Sequence, residues 1–132
     1  MKISARINSR LNHHHVEVQT NDLLKEVSIA PKPAGLGSSV NGGELLVLSL
    51  ATCFCNDLYR EAAKRNINLT AVEVECSSRF GAEGEAGSDF IYSVKLTTDA
   101  SPAEQEALIR HTDQVAEIHN TLRKGVEINL IT

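Results

Sequence analysis

Hydrophobic positions in this chain follow two rhythms. Near the start they alternate, with Ile3, Ala5 and Ile7 set against Lys2, Ser4 and Arg6, then Val16 and Val18, then Leu24, Val27 and Ile29 beyond the turn signal Asn21-Asp22. Period-two alternation broken by turn residues predicts an antiparallel meander. From Leu45 to Cys55 the chain is almost continuously apolar and is closed by Asp57, Arg60 and Glu61, which predicts a central buried helix. Asn41 as N-cap with Glu44 three residues on forms a capping-box pattern, so the helix is expected from about Gly42 to Arg65, with Asn66 as its stop. The stretch from Ala30 to Gly43 between meander and helix holds Pro31, Pro33, Gly35, Gly37, Ser38 and Ser39 and reads as a surface loop.

Alternation then returns. Val72, Val74 and Cys76 share a face opposite Glu73, Glu75 and Ser77, and Ile91, Ser93 and Lys95 alternate with Tyr92, Val94 and Leu96. Strands are expected over Leu69 to Phe80 and Asp89 to Thr98, joined by a Gly81-to-Ser88 hairpin link. Ser101-Pro102-Ala103-Glu104 supplies an N-cap, a proline at the first helical position and a capping-box acid, opening a second helix to about Glu117. A short turn through Asn120 and Gly125 should lead to a last strand, Val126 to Ile131. The order strands, long helix, two strands, helix, strand defines an α+β class, with helices packed on antiparallel sheet. At 132 residues the chain is expected to form a single domain, one that a partner can complete.

Charge narrows the partners. A net charge of −4 and the absence of any Lys/Arg cluster argue against nucleic acid and anionic membrane. The run from Leu45 to Cys55 is far short of the ~20 apolar residues of a bilayer span. The N-terminal Met1-Lys2-Ile3-Ser4-Ala5-Arg6 contains no signal-type apolar stretch. Three cysteines, without zinc-ligand spacing, suggest free thiols in a reducing compartment, so a cytoplasmic location is expected.

The candidate chemistry rests on those thiols. Cys53 inside the apolar helix is either packing material, as free cysteine usually is, or a nucleophile. Cys55 points roughly 200° away on the same helix and reads as core. Cys76 lies on the apolar face of its strand and is either packing or a second thiol able to meet Cys53, if the Cα atoms approach within ~7 Å. Asp57, one turn beyond Cys53, would raise a nearby thiol pKa, or else pairs with Arg60. His13 and His15 share a strand face and with His111 or His119 could in principle ligate a metal, but no second element offers ligands at a defined spacing, and surface or interface histidines are the expected reading. No metal and no cofactor are expected.

The helix sequence Gly43-Glu44-Leu45-Leu46, the small-residue stretch Ser49-Leu50-Ala51-Thr52, and Cys53 with Asp57 resemble the Pro-Glu-Glu-Leu-Leu opening and Cys-x-x-x-Asp signature of the OsmC/Ohr family. Asn120-Thr121-Leu122 followed by Gly125-Val126-Glu127-Ile128 is similar to the tail of that family's Cys-Pro-Val-Ser-x-x-Leu motif and its final strand. The resemblance implies an OsmC-like fold, an intertwined homodimer with the central helices back to back, and a peroxidatic thiol at Cys53 acting on organic hydroperoxides. In the family that thiol is activated by an arginine from the N-terminal meander, held by a glutamate, and is resolved by a second cysteine.

This chain departs from the pattern at each support. Gly43 stands where the glutamate belongs and Ala116 where the resolving cysteine belongs, and no cysteine follows Cys76. The arginine maps to the stretch from Arg10 to His15, so Arg10, or a histidine such as His14, would have to serve; His119, beside the vestigial motif, is a further candidate. Two functions are consistent with this: a hydroperoxide reductase using Cys53 and an external thiol, or a non-catalytic dimer binding a small apolar or reactive ligand at the subunit interface.

Overall fold

The N-terminal alternation becomes a three-stranded antiparallel sheet in the order β1-β2-β3, formed by β1 (Ile3–Arg10), β2 (His13–Thr20) and β3 (Leu23–Glu26). The computed structural model describes residues 1–132, which form two compact units, Met1–Glu44 and Leu45–Thr132. Both hairpin turns use asparagine in the left-handed region, Asn12 at φ 57° and Asn21 at φ 51°, a conformation asparagine tolerates better than most residues. The ladder sets Ile7 opposite Val16 and Ala5 opposite Val18. Val27 extends it by one hydrogen bond to the Val16 carbonyl (3.0 Å), whereas Ile29 lies beyond it.

The long apolar run is α1 (Gly42–Lys64). Its predicted capping box is formed: the Glu44 N–H donates to Asn41 Oδ1 (2.8 Å) and the Asn41 N–H to the Glu44 carboxylate (2.9 Å). It stops at Asn66, which takes φ 55° while the Ile67 N–H closes on the Ala62 carbonyl (2.9 Å). Leu50, Phe54, Leu58 and Ala62, one every four residues, are buried along one stripe of the helix. They face the hairpin of β4 (Leu69–Arg79) and β5 (Ser88–Thr98) and the helix α2 (Pro102–Val115). Val72, Val74, Tyr92, Val94 and Leu96 cover this core from the sheet, and fully buried Leu108 closes it from α2. Each large side chain buried there contributes about 1.5–3 kcal/mol. The Ser101–Glu104 capping box of α2 is present in both directions.

Two expectations are corrected. The presumed turn at Asn120 is a helix, α3 (Glu117–Lys124), which begins after the chain bends at Ala116 (φ −70°, ψ 108°) and ends at Gly125 with φ 71°. Val126–Ile131 forms no strand; it keeps the alternation but finds no partner strand within the chain, and Ile128 stays 91 % exposed.

Glu61 on α1 is buried and collects Arg60 Nε (2.8 Å), Lys64 Nζ (2.9 Å) and His111 Nε2 of α2 (3.1 Å). Hydrogen bonds from Arg60 and Lys64 hold its carboxyl down at about 2. A carboxylate with a depressed folded pKa stabilises the fold above its unfolded pKa, and that stability is lost as pH falls through the folded pKa. Chemical denaturation across pH should therefore show stability falling from the unfolded value of about 4.3 toward about 2. Glu61→Gln is expected to lower stability at neutral pH and flatten this acid limb. An unchanged limb would mean that Glu61 does not tie α1 to α2.

Candidate functional site

Cys53 and Asp57 stand one turn apart on α1, the i,i+4 spacing that lets side chains meet on one face. The Cys53 thiol donates to Asp57 Oδ2 (3.4 Å). Asp57 Oδ1 is gripped by Arg60 Nη1 (2.9 Å), and the same nitrogen reaches Glu117 Oε1 (3.4 Å) at the start of α3. Ala116, fully buried, is the pivot that swings Glu117 and Ile118 toward Cys53.

The electrostatics divide the roles. Burial pushes the Cys53 thiol above the ordinary range, the Ile118 backbone N–H pulls the other way, and Asp57 and Glu117 push it up further. The Ile118 N–H belongs to the first turn of α3, where helical N–H groups have no intrahelical acceptor. Burial also raises Asp57, against the Cys53 hydrogen bond and Arg60. Glu117 goes down, held by the backbone N–H at its helix start and by Arg60. Of the two carboxylates, Asp57 therefore has the raised proton affinity and Glu117 the lowered one.

Ligand atoms of Cys53, Asp57 and Glu117 lie within 4.8 Å of one another, close enough to consider a metal. The Arg60 guanidinium lies against both carboxylates, at 2.9 and 3.4 Å, and offsets part of their charge.

The other candidates are Arg10, His14 and His119. Arg10 is exposed at the end of β1 opposite His13, and His14 on β2 pairs with Ser9. Both His14 ring nitrogens are buried without a hydrogen-bond partner, while His15 bonds Glu17 (3.1 Å) and faces Glu26 (3.5 Å). These residues belong to the N-terminal unit, and Cys53, Asp57 and Arg60 to the C-terminal one. His119 is only 4 % exposed, and its ring packs edge-on against Tyr92 (4.7 Å between centroids) and tilted on Phe54 (5.4 Å), not on the thiol. All three cysteines are free, with Cys55 and Cys76 half-buried. Sequence reasoning had paired Asp57 with Arg60 but missed Glu117 and the Ile118 N–H, because it read their helix as a turn. The signal was the Ile118–Leu122 spacing, with Glu117 in the first turn and Arg123 and Lys124 in the last.

A buried-helix thiol on an α+β frame with capped helices defines the class. The sequence profile of the family described as OsmC-like protein matches residues 35–131, and the chain belongs to that family. Among solved structures it is similar to an OsmC-like protein from Mycoplasma pneumoniae (16 % identity over 91 % of this chain and 87 % of that one, TM-score 0.60). It is also similar to the organic hydroperoxide resistance protein OsmC of Legionella pneumophila (22 %, 93 % and 90 %, TM-score 0.60). A third likeness is to an organic hydroperoxide resistance protein from Elizabethkingia anophelis (23 %, 96 % and 91 %, TM-score 0.56). At these identities the likeness is one of fold. No curated protein matches the chain. No helix is long and apolar enough to cross a membrane.

Proposed function

We propose that the protein reduces organic hydroperoxides with Cys53, using Asp57 as proton acceptor and an external thiol as reductant. The observation that carries this reading is the seating of one thiol between a carboxylate at 3.4 Å and the Ile118 backbone N–H at the start of α3. At rest the sulfur holds its proton. When a hydroperoxide arrives, Asp57 takes that proton and the Ile118 N–H stabilises the thiolate, the form that attacks the O–O bond. Sulfur bonds to the terminal oxygen, the O–O bond breaks, and the leaving alkoxide recovers the proton from Asp57, giving an alcohol and a Cys53 sulfenic acid. One external thiol condenses with the sulfenic acid and releases water; a second displaces the mixed disulfide and restores Cys53. Arg60 is a positioning residue that keeps Asp57 aimed at the sulfur. This cycle fits a reducing compartment such as the cytoplasm, and the three free cysteines favour it. Brief exposure of reduced protein to cumene hydroperoxide with a sulfenic-acid trap, followed by peptide mapping, should label Cys53 alone and faster than a free thiol. Labelling no faster than a free thiol would refute the activity.

We also infer a homodimer as the working form. Ile3 and Ile7 on β1, Leu48 on α1, and Ile128, Leu130 and Ile131 near the C-terminus are all bare in the single chain, more apolar surface than a monomer usually exposes. The unpaired alternating tail has the pattern of a strand awaiting a partner edge. Sedimentation should give a dimer, and dilution should unfold the protein rather than release a folded monomer. A compact monomer at low concentration would sink this reading.

A further inference from the structure

The corner between α2 and α3 is held by side chains of α3. The last turn of α2 contains no basic residue, and its final carbonyls lack donors within the helix. α3 supplies them: Arg123 Nη1 donates to the Asp113 carbonyl (3.2 Å) and Asn120 Nδ2 to the Gln114 carbonyl (2.9 Å). Arg123 Nη2 also meets the Asp113 carboxylate (2.5 Å), and Tyr92 of β5 donates its hydroxyl to the same carboxylate oxygen. Asp113 thus ties α2, α3 and β5 together. Burial pushes the Asp113 carboxyl up, but the hydrogen bonds from Arg123 and Tyr92 outweigh it and hold it below the usual carboxylate range, so the clasp is charged at neutral pH.

α3 has reason to need such a clasp. A helix of eight residues is too short to persist on its own backbone bonds. Packing fixes it only in part: the His119 ring lies against Phe54 and Tyr92, whereas Leu122 and Arg123 share the wall of a cavity of about 470 Å³ with Leu46 and Leu50 of α1 and Cys76 of β4. A helix lying partly over empty space takes its position from its polar ties. The far end of the same helix is the one that meets the thiol site, with Glu117 Oε1 at 3.4 Å from Arg60 Nη1 and the Ile118 N–H on the Cys53 sulfur.

We propose that Asp113 is a positioning residue: clasped to Arg123, it holds α3 across the end of α2 and so keeps Glu117 and the Ile118 N–H at the Cys53–Asp57–Arg60 face of α1. Its effect on reaction rate rests on the reading of Cys53 as the reacting thiol; its effect on the state of the thiol does not. Opening the clasp withdraws the Ile118 N–H, the group that favours the thiolate.

The pH profile of Cys53 alkylation by iodoacetamide, read by peptide mass in the full chain, tests this. Arg123→Met and Asp113→Leu should each move the midpoint up by about half a pH unit and slow alkylation about threefold at neutral pH, the scale of a partly exposed clasp. The double variant should move it no further than the larger single effect, because both break one clasp. Arg123→Lys, which keeps the charge but not the fork, should restore part of the shift. Arg110→Met removes the same charge from an exposed ion pair of α2, with Glu106 at 2.8 Å, and should leave the profile unmoved. In the unsubstituted protein the Ile118 backbone ¹⁵N resonance, followed by carbon detection, should titrate with the Cys53 midpoint, a readout that needs no variant to fold. Unmoved or lowered midpoints, additive shifts, an equal shift in Arg110→Met, or an Ile118 resonance that ignores Cys53 would overturn the proposal. Hydroperoxide oxidation should slow along with alkylation; a shifted alkylation profile in a protein that consumes no hydroperoxide would support the clasp and end only the proposed function.

Discussion

Cys53→Ser should abolish hydroperoxide consumption and sulfenic-acid trapping, while Cys55→Ser and Cys76→Ser leave both largely intact. Equal loss from all three would indicate a folding defect. The more searching variant is Asp57→Asn, because the carboxylate has two opposed effects on the thiol. As a charge it raises the Cys53 pKa; as a hydrogen-bond acceptor at 3.4 Å it is placed to take the proton at the moment of attack. If proton acceptance dominates, oxidation by hydroperoxide should slow by about a hundredfold, the usual scale of a general base. Alkylation by iodoacetamide, which reads the population of thiolate, should become faster in the same variant. The two reactions moving in opposite directions are the signature. Both accelerating would leave Asp57 as an electrostatic neighbour only and would end the proposed mechanism, and an altered circular dichroism spectrum would expose a fold effect.

That division of labour was only half readable from sequence. The helix, both capping boxes and the faces of β4 and β5 were legible because each is local: a cap needs Asn41 and Glu44, a strand face needs period two, and Cys53 with Asp57 needs only i,i+4 spacing. Glu117 lies sixty-odd positions from Cys53 and reaches Arg60 only because the chain breaks at Ala116 and starts again as helix. Asn120 and Thr121, both poor helix formers, masked α3 in the sequence. At the C-terminus the alternation of Val126 to Ile131 was read correctly as a pattern and wrongly as a formed strand. Period two states which side chains share a face, but a strand also needs a neighbouring edge, and no residue pattern within the segment supplies one.

Phe54→Ala should be the most damaging core substitution, at about 3–5 kcal/mol, a large share of the roughly 5–15 kcal/mol that holds a domain together. Phe54 is wholly buried, and its ring meets Tyr92 edge-on at 4.8 Å and His119 at 5.4 Å. The cost of such a truncation depends on whether neighbours can collapse into the space. Here they cannot close it easily, because Tyr92 and His119 already border the cavity of about 470 Å³, and removing the phenyl ring would extend that hollow into the core. Urea unfolding should show a lower midpoint with an unchanged slope. Phe54→Leu, which retains much of the volume, should cost less than half as much. A loss below about 1.5 kcal/mol for the alanine variant would mean that the aromatic cluster repacks, as a volume-conserving swap would. In that case Phe54 and Tyr92 would not hold the His119 ring in place.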